Sequence, residues 1–235
     1  MGYSRKSEIE RRRLDKRKAK ADKKRNEGTR SQIVRFLIVC EGKKTEPNYF
    51  RSIERYHASD IMEVDIEGKG MSTVPLVDKT KDLKEDLERK RATEFDRTWI
   101  VFDKDDFEDF NEAIRMAKGY GFRCAWSNEA FELWYYLHFE YLDAGVGRKD
   151  YISKLETVIR KSSSNSNFVY EKGDPDIYKL LQTYGNEELA KQRAAKLRNL
   201  FKGSSDYAAH KPCTLVDLLV EELEHPEKVL SGELR

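Results

Sequence analysis

Short strand-like runs alternate with amphipathic stretches between residues 33 and 145. Nearly continuous apolar runs or alternating residues, of strand length and composition, occur at 34–40, 62–66, 98–102 and 122–126. The segments between them carry apolar residues at helical spacing, with charged residues on the opposite face. Strands that alternate with helices predict a parallel sheet with right-handed crossovers, so the pattern indicates an α/β fold.

Capping signals and periodicity give the expected helices. The first should be capped by Thr45 or Glu46, with Pro47 in its first turn, where a missing N–H costs nothing. We predict the other helices of the alternating region at 76–87, 108–118 and 131–141. After Gly147 only helical patterns remain, separated once by the polar segment 162–167; the expected helices are 151–161, 177–184, 187–201 and 214–224.

Charge is distributed unevenly along the chain. Residues 1–30 contain thirteen Lys and Arg against five Asp and Glu, whereas the whole chain has a net charge of only +2. These thirty residues also have few apolar side chains, so we expect a basic, flexible N-terminal arm. Such an arm is either a solvated tail or a contact to a polyanion such as nucleic acid.

Other features bear on the location of the protein. No apolar run reaches the ~20 residues that a membrane helix needs, and the basic start is not followed by the apolar stretch of a secretory signal. Cys40, Cys124 and Cys213 are far apart, which argues against structural zinc and against a disulfide framework. We therefore expect a cytoplasmic protein without membrane contact.

Polar residues follow three of the four predicted strands. Glu41-Gly42 follows the first, Asp103-x-Asp105 the third, and Ser127-Asn128 the fourth. Parallel strands present their carboxyl ends at one edge of the sheet, where ligands bind. Clustered carboxylates repel each other unless a cation lies among them, and hard oxygen ligands suit Mg²⁺ or Mn²⁺. Each motif alone is also compatible with a simple turn or helix cap.

Further candidates surround these acids. Lys43 and Lys44 precede the first helix, where free N–H groups favour phosphate, although both could be solvated lysines. Asp106 could assist a metal or act as a first-turn acid, and Ser127 could touch the metal or phosphate or cap a helix. We expect Glu46 to be a first-turn helix acid.

Glu132 and His138 lie in one strongly apolar segment. A carboxylate is costly there unless it is paired or bound to a metal, so Glu132 is a candidate catalytic residue. Six residues correspond to about 240° around a helix, so the two side chains cannot face one site on a straight helix. We favour Glu132 for the site and expect His138 to be a hydrogen-bonded structural residue.

Four segments resemble the motifs of the RloB family. The first and third are long enough to be specific, and the resemblance covers residues 34–224. The segments are FLIVCEGKKTEPNYF at 36–50, IVFDKDD at 100–106, SNEAFELWYYLHF at 127–139 and PCTLV at 212–216.

This resemblance implies a Toprim-like, metal-dependent catalytic domain. Glu41 would act as general acid/base or metal ligand, and Asp103 and Asp105 would be the metal-binding aspartates. Together with the charge pattern, the resemblance gives an expected organisation of three parts: a basic arm at 1–30, a Toprim-like sheet domain at 31–145 and a helical C-terminal region at 146–235 packed on it. Related defence proteins act as nucleases on RNA, including tRNA, or on DNA, beside an ABC- or AAA-type ATPase encoded alongside.

The acidic motifs predict a Mg²⁺-type site, and the resemblance implies that the site belongs to a Mg²⁺-dependent nuclease that acts in antiphage defence. Glu41, Asp103 and Asp105 would hold one or two ions that activate the nucleophile and stabilise charge on the phosphate. The chain has no GxxxxGK[ST] loop, so ATP hydrolysis would belong to a partner.

Two alternatives stay open. One is a non-catalytic subunit that binds nucleic acid or the ATPase, with a regulatory or vestigial acidic site. The other is a haloacid-dehalogenase-like phosphatase, whose Asp-x-Asp would lie nearer the N-terminus. The sequence does not predict the oligomeric state.

Overall fold

Four parallel strands form the sheet of this protein in the order β2-β1-β3-β4. The computed structural model describes residues 32–71 and 73–234, so the arm predicted at 1–30 lies outside the described residues. The strands are β1 Val34–Cys40, β2 Met62–Gly68, β3 Arg97–Lys104 and β4 Arg123–Asn128. The predicted parallel sheet flanked by helices is confirmed.

The central strand β1 is buried on both faces, which explains its continuous apolar run. Phe36 and Ile38 belong to one hydrophobic core, whereas Leu37 and Val39 belong to the core on the opposite face. Successive side chains of a strand point to opposite faces, so a strand covered on both sides is apolar at successive positions, here residues 36–40. Arg35, near the start of β1, is half-buried and pairs with Glu63.

Helices cover both faces of the sheet and make up the C-terminal region, as predicted. In the alternating region they are α1 Thr45–Tyr56, α2 Thr73–Arg91, α3 Phe110–Gly119 and α4 Glu132–Leu137. The later helices are α5 Arg148–Ser163, α6 Ile177–Tyr184, α7 Glu187–Leu200, α8 Val216–Glu224 and α9 Pro226–Ser231, with a 3₁₀ turn at Tyr207–Ala209. No helix among the described residues is long and apolar enough to cross a membrane.

Helix α4 is shorter than the sequence predicts. It ends at Leu137, whereas the apolar pattern indicates a helix as far as residue 141. In a longer helix, the carbonyls of Leu137 and His138 would bond to backbone N–H groups four residues ahead. Instead they accept hydrogen bonds from Arg193 Nη1 (2.6 Å) and from the backbone N–H of Asn186 (2.9 Å). Tertiary contacts with α7 and its N-cap therefore end the helix.

Residues Ser127 and Asn128 belong to β4, so the predicted exit turn at this position is wrong. They pair in register with Asp103 and Lys104 of β3. On the other side of β4, Asn128 N donates to Cys213 O at 2.8 Å. Because backbone partners are present on both sides, the strand continues two residues further than the apolar run indicates.

Helix α8 is tied to the sheet by one buried carboxylate. Glu222 is 1 % exposed and accepts hydrogen bonds from Trp99 Nε1 (2.8 Å) and Arg123 Nη1 (2.6 Å). Arg97 Nε is a third donor, at 3.3 Å. The core on this face also contains apolar residues from α5 to α9 as well as from β1 and β3. The predicted division at residue 145 stays a prediction.

Replacement of Glu222 by Ala should strongly destabilise the protein. Two arginines and an indole N–H would lose a buried acceptor, and breaking a buried pair of this kind costs about 3 kcal/mol. Urea denaturation should show this loss in the free energy of unfolding. Glu112→Ala, at an exposed position on α3, serves as the control and should change that free energy by less than about 0.5 kcal/mol.

Candidate active site

The strand order creates a crevice at the carboxyl ends of β1 and β3. From β1 the chain crosses to β2 on one side, and it later returns to form β3 on the other side of β1. In open parallel sheets, ligands bind at such a switch point, because the connections leave in opposite directions and do not cover the gap. The two strands pair as far as Cys40 and Val101, so Glu41 and Asp103 face this gap.

The main chain fixes the position of Glu41. Its backbone N–H donates to Val101 O at 2.8 Å, and its carbonyl accepts from Gly70 N at 2.7 Å. Its side chain then turns towards β3, where Oε2 accepts a hydrogen bond from Asp103 N at 3.1 Å. Glu41 is therefore held by β3 and by the segment that follows β2, and its carboxylate is bonded to the backbone of Asp103.

Asp103 and Asp105 are joined by an arginine from the C-terminal region. Asp103 Oδ2 accepts hydrogen bonds from Phe131 N (3.2 Å) and from Arg148 Nη2 (3.3 Å). The same nitrogen of Arg148 also donates to Asp105 Oδ1. A single guanidinium thus bridges the two aspartates of the Asp-x-Asp motif.

These residues line a cavity of about 220 Å³ with five carboxylates. Three come from the predicted set of Glu41, Asp103 and Asp105, and Glu132 is the fourth. Arg148 and Lys172 supply the positive charges. The structure thus brings all four predicted catalytic residues together in one cavity.

Glu46 is the fifth carboxylate, and sequence reasoning missed its place at the site. It lies in the first turn of α1, as expected, but it is only 7 % exposed and lines the cavity. A Cβ on Gly42 would lie 2.1 Å from Glu46 Oε2, so the glycine leaves room for this carboxylate. The sequence does contain a signal for this position, because Glu46 is at helical spacing from Tyr49, Phe50 and Ile53 and so lies on the buried face of α1.

Glu132 and His138 have different surroundings. Glu132 is 3 % exposed, lines the cavity and accepts a hydrogen bond from Tyr170 Oη at 3.1 Å. His138 lies outside the cavity, with Nδ1 3.0 Å from Trp134 O. Burial lowers the pKa of His138 to about 4, so this imidazole is neutral at pH 7. The structure places the two residues as the helix geometry predicts.

Four other predicted site residues do not line this cavity. Asp106 lines a neighbouring cavity of about 350 Å³. Ser127 is fully buried, with its hydroxyl 2.9 Å from that of Thr214. Lys43 and Lys44 are exposed at the start of α1. Lys172, which the sequence analysis did not single out, is the lysine at the cavity.

A loop pinned to α1 brings Lys172 to this position. Asn48 Nδ2 donates to Gly173 O at 2.7 Å, and Ser52 Oγ donates to Pro175 O at 3.1 Å. Both donors lie on α1, so this helix supplies Glu46 from its first turn and holds the lysine beside it.

Burial and mutual repulsion raise the pKa values of three cavity acids. Burial, followed by the charges of Asp105 and Glu46, raises the pKa of Glu41 to about 7, although the hydrogen bond from Asp103 N opposes this shift. Burial and then the charges of Glu46 and Glu132 raise the pKa of Asp103 well above its usual range. The pKa of Glu46 is raised by burial and by Glu132. Such a cavity favours the binding of positive charge.

The donor set fits a hard divalent cation, provided that Arg148 moves. Five carboxylates supply the oxygen ligands that Mg²⁺ and Mn²⁺ prefer. Among the described residues, however, the five cavity carboxylates do not bring three ligand atoms within 4.8 Å of one another. The group that does consists of Glu221, Glu224 and His225, which lie outside the cavity. Lys191 already bonds both of those glutamates. A cation in the cavity would replace the contacts of Arg148 with the aspartates.

Fold and site define an α/β protein with a carboxylate-lined cavity at the switch point of a parallel sheet. A comparison with protein-family models matches the family described as RloB-like protein over residues 36–223, which is most of the chain. The chain therefore belongs to the RloB-like family. Comparisons with curated proteins and with solved structures gave no match. The matched range contains all five carboxylates, Arg148 and Lys172.

Glu41→Gln should stabilise the metal-free protein at neutral pH. The unfolded chain ionises this group above pH 4.5, whereas the folded protein keeps the proton until about pH 7. The folded state therefore binds more protons in this window, and stability falls as the pH rises from 4.5 to 7. After allowance for solvent screening, the effect is on the order of 1–3 kcal/mol. Glutamine keeps the acceptor for Asp103 N and has no charge.

Urea denaturation in EDTA at pH 5.5 and 7.5 measures this effect. The wild type should lose stability between the two pH values, and the loss should be smaller in Glu41→Gln. Glu112→Gln on the exposed face of α3 should behave like the wild type. A glutamine variant that is less stable than the wild type at pH 7.5 would contradict the electrostatic explanation.

Proposed function

We propose that this protein is a Mg²⁺- or Mn²⁺-dependent nuclease that cleaves phosphodiester bonds in RNA, such as tRNA, or in DNA. The observation that carries the proposal is the convergence of Glu41, Asp103 and Asp105 at the switch point, together with two further acids in the same cavity. A cavity with this many carboxylates and few cations suits divalent metal ions rather than an apolar ligand.

In this proposal Glu41, Asp103 and Asp105 hold the metal, and Glu46 and Glu132 are available for a second ion or for the ordering of water. A bound metal ion supplies Lewis acidity and a nucleophile at neutral pH. The protein orients the ligands through the bond from Phe131 N to Asp103 and the bond from Asp103 N to Glu41. Glu41, with a pKa of about 7 before the metal binds, can hold or release a proton under physiological conditions.

Positive charge around the cavity supports a polyanionic substrate. Lys172 lines the cavity, and Lys43 and Lys44 are exposed beside it at the start of α1. The basic residues of segment 1–30 would add to this attraction, although they lie outside the described residues. Binding through such contacts weakens as the salt concentration rises.

The biological setting is part of the proposal and is supported by the family. Membership of the RloB-like family, together with the motif resemblance, favours a role in antiphage defence beside a partner ATPase. The absence of a P-loop motif from the sequence fits a division of labour in which the partner hydrolyses ATP.

A cleavage assay tests the proposed activity. Purified protein, with and without the proposed partner ATPase, is incubated with total tRNA, single-stranded RNA or plasmid DNA in Mg²⁺, Mn²⁺ or EDTA. The wild type should cleave at least one substrate in a metal-dependent way. Glu41→Ala and Asp103→Ala should lower the cleavage rate by about 10²–10⁴-fold, because each loses a ligand or a proton-transfer group.

Asp106→Ala is the matched control for this assay. It removes a carboxylate of the same motif that lies outside the carboxylate cavity, so its cleavage rate should stay close to that of the wild type. Cleavage that survives both Glu41→Ala and Asp103→Ala would rule out this site as the nuclease centre.

One observation favours a second candidate function, a non-catalytic binding subunit. Arg148 already supplies Asp103 and Asp105 with a positive charge, so these acids have a counterion without a metal. Thermal unfolding distinguishes the two candidates. If the nuclease proposal is correct, millimolar Mn²⁺ should raise the melting temperature of the wild type but not that of Asp103→Ala. If Mn²⁺ changes the melting temperatures of the wild type and of Asp103→Ala equally, and the wild type cleaves no substrate in the presence of the proposed partner ATPase, the binding subunit is favoured.

A further inference from the structure

Arg148 stands at the boundary between two cavities. It lines the carboxylate cavity and also the neighbouring cavity of about 350 Å³, which it shares with Lys104 and Lys211. The two cavities have Asp105 and Arg148 in common. The Arg148 side chain is 35 % exposed, so its guanidinium can reach a molecule that enters from the neighbouring cavity.

The hydrogen bonds of Arg148 are unevenly distributed over its guanidinium. Nη2 carries two N–H groups but approaches three acceptors: Asp103 Oδ2, Asp105 Oδ1 and the carbonyl of Glu129. Within the part of the chain that the structure describes, Nη1 donates no hydrogen bond to a protein acceptor. The two aspartates therefore compete for the N–H groups of Nη2, while the N–H groups of Nη1 are not bonded to a protein acceptor in the described residues.

A second contact anchors the arginine independently of the aspartates. Arg148 Nε donates to the carbonyl of Glu129 at 3.1 Å, and Nη2 donates to the same oxygen at 2.8 Å. Lys211 in turn bonds the Glu129 side chain. If a cation binds Asp103 and Asp105 in place of Arg148, the hydrogen bond from Nε to the Glu129 carbonyl can persist. The guanidinium can then turn about this bond and donate its other N–H groups to a second anion.

From this arrangement, and resting on the proposed function, we propose that Arg148 exchanges places with the divalent cation and then binds a phosphate of the nucleic acid. Without a cation, the guanidinium neutralises Asp103 and Asp105. With a cation bound, its free N–H groups pair with a phosphodiester oxygen, an acceptor that matches the planar fork of arginine. Arg148 thus makes cation binding weaker and polyanion binding stronger.

Two binding measurements with Arg148→Gln test this exchange. Glutamine can still donate to the Glu129 carbonyl but carries no charge. Calorimetric titration with Mn²⁺ alone should show binding about three- to tenfold tighter than in the wild type, because the competing charge is gone. Fluorescence anisotropy with labelled tRNA in Ca²⁺ should show binding about tenfold weaker or more, because a charge-assisted phosphate contact is lost.

Lys149→Gln is the control for general electrostatics. It removes one positive charge from an exposed position beside Arg148 that lines neither cavity, so its Mn²⁺ affinity should stay within about twofold of the wild type. If Arg148→Gln does not fold, Arg148→Lys replaces it. Lysine keeps the charge but loses the fork, so tRNA binding should still weaken.

The opposite signs of the two effects separate this exchange from a structural role. A merely structural arginine would weaken both kinds of binding when replaced. Mn²⁺ binding that is unchanged or weaker in Arg148→Gln would overturn the proposal. Unchanged binding of the nucleic acid by this variant would also overturn it, as would a wild type that binds neither tRNA nor a labelled DNA duplex. A wild type that binds no Mn²⁺ would overturn the nuclease proposal as well. If the wild type binds Mn²⁺ and cleaves its substrate, but Arg148→Gln changes neither Mn²⁺ binding nor nucleic-acid binding, then the exchange is wrong and the nuclease proposal stands.

Discussion

Repulsion among carboxylates in one small cavity is the constraint on which the rest of this structure depends. Burial and repulsion between like charges raise the pKa values of Glu41, Glu46 and Asp103. Folding therefore brings together acidic groups that would repel each other and would be better solvated in the unfolded chain. The apolar residues 36–40 of β1 and the cores on both faces of the sheet supply the stability that offsets this cost. Backbone N–H groups and Arg148 hold the acids at fixed positions despite their repulsion.

Much of this arrangement could be predicted from the sequence, because it depends on local patterns. The apolar runs gave the four strands, and parallel strands place their carboxyl ends on one side of a sheet. Glu41 and Asp103 were therefore expected at the same edge of the sheet, and the strand order, which the sequence does not predict, makes their strands neighbours. Glu132 could be identified because burying a carboxylate in so apolar a segment costs free energy unless the carboxylate is paired or bound to a metal.

The parts that could not be predicted depend on contacts between distant segments. Helix α4 ends early because Arg193 and Asn186 take its last carbonyls, and neither residue is near it in sequence. Arg148 and Lys172 reach the cavity from the helical C-terminal region, where nothing in their local sequence marks them. Glu46 looked like an ordinary first-turn acid, because a helix pattern shows which face is buried but not what that face meets.

The two basic side chains of the cavity, Arg148 and Lys172, come from a different part of the chain than its carboxylates, and this limits how the protein can be truncated. Every carboxylate of the cavity precedes residue 133, whereas both cations that line it follow residue 147. A fragment that ended between these positions would retain the whole acidic half of the site and none of its compensating charge. The site is thus a joint product of the strand-bearing and helical parts. Truncation or exchange of the C-terminal part would change the electrostatics of the chemistry as well as the stability of the core.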